Sequence, residues 1–328
     1  LGYGLDGAVT AFVGSAVVSG LLGLYVLTRI APVLLDGTLS ASYNIRRLLA
    51  YSLPVMGVTV TTLFVDQADR IMLGLLASSA DVGLYNVAAL LATQVRFMLT
   101  SISATFTPLI SDLYHTDRRE ELHQLFRITT RWIVTLSMPL ALVLALFPDP
   151  LLWIFGTEFR AGAPVVLVLA ISSFLNAGVG TIGLMLQMSD HERLVLLDSI
   201  AMAVLNIALN LWLIPLYGPV GAALATALSI TAINAVQYVQ LRYLLGMTPF
   251  SAAYLRPIAA GVVAGLAGWL ASLAMPTWVT QDLFGMLVTG LVYLGALLLI
   301  GLPDEDWKVM HPFLQRTGLD RFLGNWDD

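Results

Sequence analysis

Tyr217-Gly218-Pro219-Val220-Gly221-Ala222-Ala223-Leu224-Ala225 returns, in weaker form, as Tyr3-Gly4-Leu5-Asp6-Gly7-Ala8-Val9-Thr10-Ala11. At an offset of 214 residues the tyrosines, two pairs of glycines and two pairs of alanines coincide, and Ser15 falls on Ser229. Each copy is a turn that feeds a long apolar helix, and each helix closes on an arginine, Arg29 or Arg242. A hairpin duplicated at this distance predicts two homologous lobes. Only the second copy is preceded by a lobe of its own. Residue 1 is Leu and already lies inside the motif. The sequence is therefore read as N-terminally truncated, lacking a first lobe.

Composition names the solvent. Hydrophobic residues make up 58% of the chain and charged residues 11%, with a mean hydropathy of +0.84. A soluble domain carries roughly 25% charged residues. This much apolar surface has to face lipid, where every backbone group must be satisfied internally and a helical bundle results. The chain has no cysteine, which removes disulfides, thiolate metal sites and cysteine nucleophiles.

Nine apolar segments reach spanning length: 8–35, 48–76, 82–111, 132–147, 161–188, 192–213, 219–246, 253–275 and 281–302. The fourth is short, and its helix is expected to begin earlier, near Arg118. Basic residues test the count, because they gather on cytoplasmic loops. Of the sixteen Lys and Arg residues, thirteen fall on alternate loops, and only Arg160 falls on the opposite side. Arg70 and Arg96 lie inside spans. The fold expected is all-α, a multi-pass transmembrane helical bundle of about nine spans in the cytoplasmic membrane, with the C-terminus in the cytoplasm. Residues 117–131 set Leu122, Leu125 and Phe126 at helical spacing against a charged face. That pattern suits an in-plane helix leading into the fourth span, or a linker that gates motion.

Asn206-Ile207-Ala208-Leu209-Asn210-Leu211-Trp212-Leu213-Ile214-Pro215-Leu216-Tyr217-Gly218-Pro219-Val220-Gly221 resembles the hallmark hairpin of the polysaccharide and oligosaccharide flippases. These belong to the multidrug/oligosaccharidyl-lipid/polysaccharide exporter superfamily. Three further stretches are similar to the family in the same order. They are Leu53-Pro54 followed by Asp69-Arg70-Ile71-Met72-Leu73-Gly74 and Val82-Gly83-Leu84-Tyr85-Asn86; Pro108-Leu109-Ile110; and Leu152-Trp153-Ile154-Phe155-Gly156. The resemblance covers residues 3 to 246. It implies two six-helix lobes plus two extra helices. Residues 1–40 are then the last helix of a missing first lobe, and 41–247 a complete second lobe. Residues 248–302 are the added pair, and 303–328 a cytoplasmic tail. It also implies a flippase that moves a lipid-linked oligosaccharide across the membrane by alternating access. Its partners would be that lipid-linked sugar, membrane lipids, the missing lobe, and glycosyltransferases and a polymerase of the same pathway. Nucleic acid is not among them, and no cofactor is implied.

The residues support this reading on their own terms. Gly221, Ala222 and Ala225 let helices approach closely in lipid. Pro215 and Gly218 are expected to end one helix and turn the chain into the next. Asn206 and Asn210 stand one turn apart and suit interhelical hydrogen bonds. Asp66, Asp69, Arg70 and Arg96 are charges inside spans, which cost about 2.5–3.5 kcal/mol each at a helix centre unless paired or wet. Asp66 and Arg70 are i, i+4 partners, with Asp69 beside them, and Arg96 comes within reach from the next helix. Either this cluster fixes the packing of two helices, or its arginines line a cavity and hold a pyrophosphate. Asp198 sits about one turn into its span, where an interfacial position is expected. His115, His123, His191 and His311 show no metal spacing, and no Walker loop is present. No catalytic set is visible.

Two rival functions stand beside the flippase. A cation-coupled multidrug exporter of the same superfamily would use Asp66 or Asp69 for coupling. A membrane-embedded glycan polymerase or ligase would need a large outer loop, and the longest here is 148–161.

The charge asymmetry makes topology testable in a chain with no native cysteine. Single cysteines at Ser79 and Ser42 are exposed to an impermeant thiol reagent on whole cells. Position 79 should label and position 42 should not; the reverse pattern would invert the topology.

Overall fold

The computed structural model describes residues 4–30 and 45–301. The polar stretch from 303, the loop position Ser42 and Tyr3 of the repeat lie outside the described residues. Two compact units divide the chain, one up to Leu49 and one from Ala50 onward. The first contains α1, Gly4–Ile30, a single apolar helix. The offset of 214 carries its two ends onto Gly218 and Leu244, which bound the helix of the second copy to within one residue. The repeat is thus a repeat of structure as well as of letters.

The second unit is all helix among the described residues. α2 (Ile45–Leu76, which begins in the first unit) and α3 (Ser79–His115) form a hairpin across a two-residue turn. Ser78 caps α3, with its hydroxyl accepting from Asp81 N at 3.2 Å and its own N–H bonding Asp81 Oδ2 at 3.1 Å. There follow α4 (Arg119–Leu146), the short α5 (Pro148–Trp153), α6 (Ala163–Gly178), α7 (Ile182–Met188), α8 (Glu192–Tyr217), α9 (Pro219–Leu244), α10 (Leu255–Ser272) and α11 (Trp278–Ile300). Eight helical stretches are long and apolar enough to cross a membrane, and α1 adds a shorter apolar run, Val13–Arg29.

Three expectations need correction. The fifth segment, 161–188, is not one helix. It breaks between α6 and α7 at Gly180, whose φ is +70°. A Cβ there would lie 2.2 Å from Thr130 Oγ1, so close approach and backbone conformation both demand glycine. The carbonyl of Gly178, freed by the break, accepts from Tyr254 Oη at 2.6 Å. Second, residues 119–131 do not form a separate in-plane helix. They are the first half of α4 itself, and Leu122, Leu125 and Phe126 pack with Ile182, Met185, Leu186 and Leu241. Protein rather than headgroups covers the apolar face. Third, Pro215 does not end α8. It stays inside the helix, and Gly218, at φ +56°, makes the turn. Only the i−4 bond of Pro215 is lost, while Gly218 N still reaches Ile214 O at 2.8 Å.

Packing divides the unit into layers. One apolar cluster joins Leu73, Tyr85, Leu144, Leu152, Val166, Ile214 and Ala222. A second occupies the end that bears the arginines of α4. The α10–α11 hairpin docks through Met138, Ala260, Ala264 and Tyr293. The tightest approach to backbone is between α8 and α9, where a Cβ on Gly221 would lie 2.1 Å from Leu213 O. Backbone stands there, so nothing can rotate away. Gly221→Ala should destabilise the purified protein by about 1–3 kcal/mol through overpacking. Gly290→Ala, with nothing within 4 Å of the new Cβ, should be neutral or slightly stabilising. Thermal unfolding in detergent measures the contrast.

Candidate functional site

The two hairpins α2–α3 and α8–α9 meet on one carboxylate. Asp69 is 4% exposed. Tyr85 Oη and Thr226 Oγ1 each donate to Asp69 Oδ2 at 2.5 Å. Asn210 Nδ2 donates to Oδ1 at 2.8 Å, and Asn206 Nδ2 makes a longer contact to the same atom at 3.4 Å. The amides also join one another, with Asn210 Nδ2 donating to Asn206 Oδ1 at 3.1 Å. Four helices therefore contribute to one knot. Asp69, Tyr85, Asn210 and Thr226 lie about two turns, roughly 10 Å, from the turn of their own hairpin, at a rise of about 1.5 Å per residue, and Asn206 lies one turn further. Tyr85, Asn206 and Asn210 are buried with Asp69. A charge of this kind is tolerated in a membrane protein only with its donors in place.

Asp66 takes a different course, although it stands on the same helix. Its Oδ1 lies 3.6 Å from Arg96 Nη1 on α3. The pair is half exposed, at 33% for Arg96 and 42% for Asp66. Arg70 does not bond the Asp66 carboxylate. Its Nη1 donates to the Asp66 carbonyl and to Gln67 Oε1, both at 3.1 Å. The four intramembrane charges thus separate into a buried anion and an exposed polar face, and Asp69 does not join the arginines.

That face continues along both helices. On α2, Thr59, Thr62, Asp66 and Arg70 recur at helical spacing; on α3, Thr93, Arg96, Thr100, Ser103 and Thr107 do the same. The hydroxyls back-bond to their own helix, as Thr62 does to Val58 O at 2.9 Å and Thr107 to Ser103 O at 2.7 Å. Arg70 does the same through the Asp66 carbonyl, while Asp66 and Arg96 reach across to each other and keep part of their polar surface open. The stripe was open to discovery in the sequence, from the period of its Thr and Ser residues. Thr226 and Tyr85 as partners of Asp69 were not, because only tertiary structure brings them together. Among the described residues no group of three or more His, Asp or Glu is placed to hold a metal ion.

An all-helical bundle with eight stretches long and apolar enough to cross a membrane is the architecture of a multi-pass membrane protein. Residues 4–164 match the family described as polysaccharide biosynthesis protein. The chain is 27% identical over 194 residues to a probable low-salt glycan biosynthesis flippase, Agl15, of Haloferax volcanii, covering 59% of this chain and 41% of that one. It is also 27% identical over 240 residues to a probable flippase, AglR, of the same organism, covering 70% of this chain and 48% of that one. This sequence spans less than half the length of either relative. Among solved structures, the lipid II flippase MurJ in an inward closed conformation shares the fold. Its TM-score is 0.61 at 13% identity, over 80% of this chain and 56% of that one. The family match over residues 4–164 and the two probable flippases agree with the resemblance to the polysaccharide flippases read from the sequence.

The knot predicts two different outcomes at one position. Asp69→Ala takes the acceptor from the Tyr85 and Thr226 hydroxyls and one contact from each asparagine amide, and each orphaned donor costs roughly 1–3 kcal/mol. The protein should fail to accumulate in the membrane. Asp69→Asn keeps an acceptor and lets the two hydroxyls rotate to accept from the new amide. It should accumulate near the normal level. Quantitative immunoblots of membrane fractions distinguish the two.

Proposed function

We propose that this chain forms the substrate-translocating lobe of a flippase for a lipid-linked oligosaccharide, working by alternating access in the cytoplasmic membrane. The observation that carries the reading is the half-exposed face of Asp66, Arg70 and Arg96 on α2 and α3. Lipid tails would not solvate such a face, so it lines a water-filled path. Arginine's planar fork there suits the pyrophosphate that joins sugar to lipid. Asp66 holds Arg96 in place between cargoes and can release it, because a half-exposed pair contributes only about 1 kcal/mol or less. On this reading residues 41–247 act as one six-helix lobe, α10 and α11 are the added pair, and the basic loops face the cytoplasm. The family relatives named as flippases, not enzymes, support transport over catalysis.

A second element of the reading concerns the driving force. Asp69 is a buried anion surrounded by oxygen and amide groups alone, and Asn210 Oδ1 is buried without a partner. Such an oxygen-rich site suits a small monovalent cation, whose entry and release would drive the cycle. This keeps the cation-coupled exporter as the alternative function, with the Arg96 face deciding between them.

Binding of a polyprenyl-pyrophosphate sugar to the purified protein in nanodiscs tests the cargo. Arg96→Gln removes a charge-assisted hydrogen bond worth roughly 1.5–3 kcal/mol, so affinity should fall about tenfold or more at unchanged melting temperature. Asp66→Asn should not restore it. Unchanged affinity in Arg96→Gln, or restored affinity in the double variant, would reduce the pair to a packing contact.

A further inference from the structure

A second buried polar pair lies at the other end of the α8–α9 hairpin from the Asp69 knot, and nothing above uses it. Asp198 stands six residues after the start of α8 and is 7% exposed, more deeply buried than its place in the sequence suggests. Gln240 stands four residues before the end of α9 and donates from Nε2 to Asp198 Oδ1 at 2.9 Å. The remaining polar atoms of the two side chains are Asp198 Oδ2 and Gln240 Oε1. Both are buried, and neither has a hydrogen-bond partner. Both are acceptors, so neither can serve the other.

Among the described residues no cation bonds to them. α8 itself brings Glu192 and Arg193 at its start, and Asp198 forms no ion pair among the described residues. α9 brings Tyr238, Tyr243 and Arg242, and the Arg242 guanidinium donates to Gly246 O at 3.0 Å. α7 carries no ionisable residue. α2, which touches α8 through Gly57 and Leu196, brings Arg46 at its exposed start, Asp66 paired with Arg96, Asp69 held in its knot, Arg70 bonded to Gln67 Oε1, and Tyr51 bonded to Met188 Sδ at 4.0 Å.

Two unmet acceptors on one carboxyl–amide pair call for a donor that serves both. A metal ion does not suit, since a hard cation takes about six oxygen ligands and only two free oxygens are present. One proton does suit. Bound to Asp198 Oδ2 and donated to Gln240 Oε1, it adds a second bond beside the existing Nε2–H···Oδ1 bond. The two then close the ring of a carboxylic acid paired with a primary amide. We infer that Asp198 and Gln240 form a proton-binding site inside this hairpin. The carboxylate takes a proton to become the neutral acid and gives the same proton back, and only the O–H bond forms and breaks. The exchange partner is water at the near end of α8, roughly 9 Å away along the helix. Uptake gives α8 and α9 two bonds at this end in place of one. The inference stands on this pair alone and does not depend on the cargo.

Infrared difference spectroscopy on the purified 328-residue protein in nanodiscs tests it directly. Acidification over the range in which the protein stays folded should raise a carboxylic C=O band that Asp198→Asn removes and Gln240→Leu shifts to higher frequency. Asp198→Asn is the amide mimic of the protonated pair, since its Nδ2 can donate to Gln240 Oε1 while Oδ1 still accepts. It should melt no lower than wild type and lose one proton's worth of pH dependence, while Asp198→Leu melts lower. The inference is overturned if no band assignable to Asp198 appears over that range, as a single buried water bridging both acceptors would produce. It is equally overturned if sodium at constant pH changes the pair as acid does, or if Asp198→Asn melts as low as Asp198→Leu.

Discussion

One carboxylate deep inside an apolar bundle sets the terms for its neighbours. Asp69 cannot be left bare in lipid, and among the described residues no arginine or lysine side chain bonds to it. Its donors are therefore drawn from three other helices, which fixes the register of all four. Tyr85 must stand two turns into α3, Asn210 two turns before the end of α8, and Thr226 two turns into α9. The small residues of α9 are the complement of this demand. Gly221 brings α9 against the Leu213 carbonyl, and only at that distance does Thr226 reach across to α2. Polar satisfaction and close packing are here a single requirement.

The same constraint explains which parts of the fold were legible in the sequence. Spans announce themselves because lipid demands about twenty apolar residues, and the turn between α2 and α3 is written in Ser78 and Asp81. The separate fates of Asp66 and Asp69 are not written. Three residues apart, they fall near one another on a helical wheel. A rotation of about 60° nevertheless carries one to a buried knot and leaves the other on an open face. Arg70 is a similar case: sequence spacing offers it the Asp66 carboxylate, and the structure gives it a carbonyl and Gln67 instead.

The break at Gly180 was invisible for another reason. A single glycine in a run of apolar residues is common in membrane helices, and its meaning depends on Thr130 from a different helix. The amphipathic start of α4 misled in the opposite direction. A charged face beside an apolar one is the mark of a helix lying on a membrane, and equally of one end of a spanning helix packed against its own protein. Leu122 and Phe126 decide for the second, because Met185 and Leu241 already cover them.

The 214-residue register has a consequence for symmetry. It sets Thr226 opposite Phe12, and Ala225 opposite Ala11. The small residue that permits close approach is kept in both copies, while the hydroxyl that bonds the carboxylate exists in one. A phenyl ring at the corresponding place can neither donate to an acid nor accept from an amide. At these positions the two copies share a small residue and differ in hydrogen-bonding chemistry.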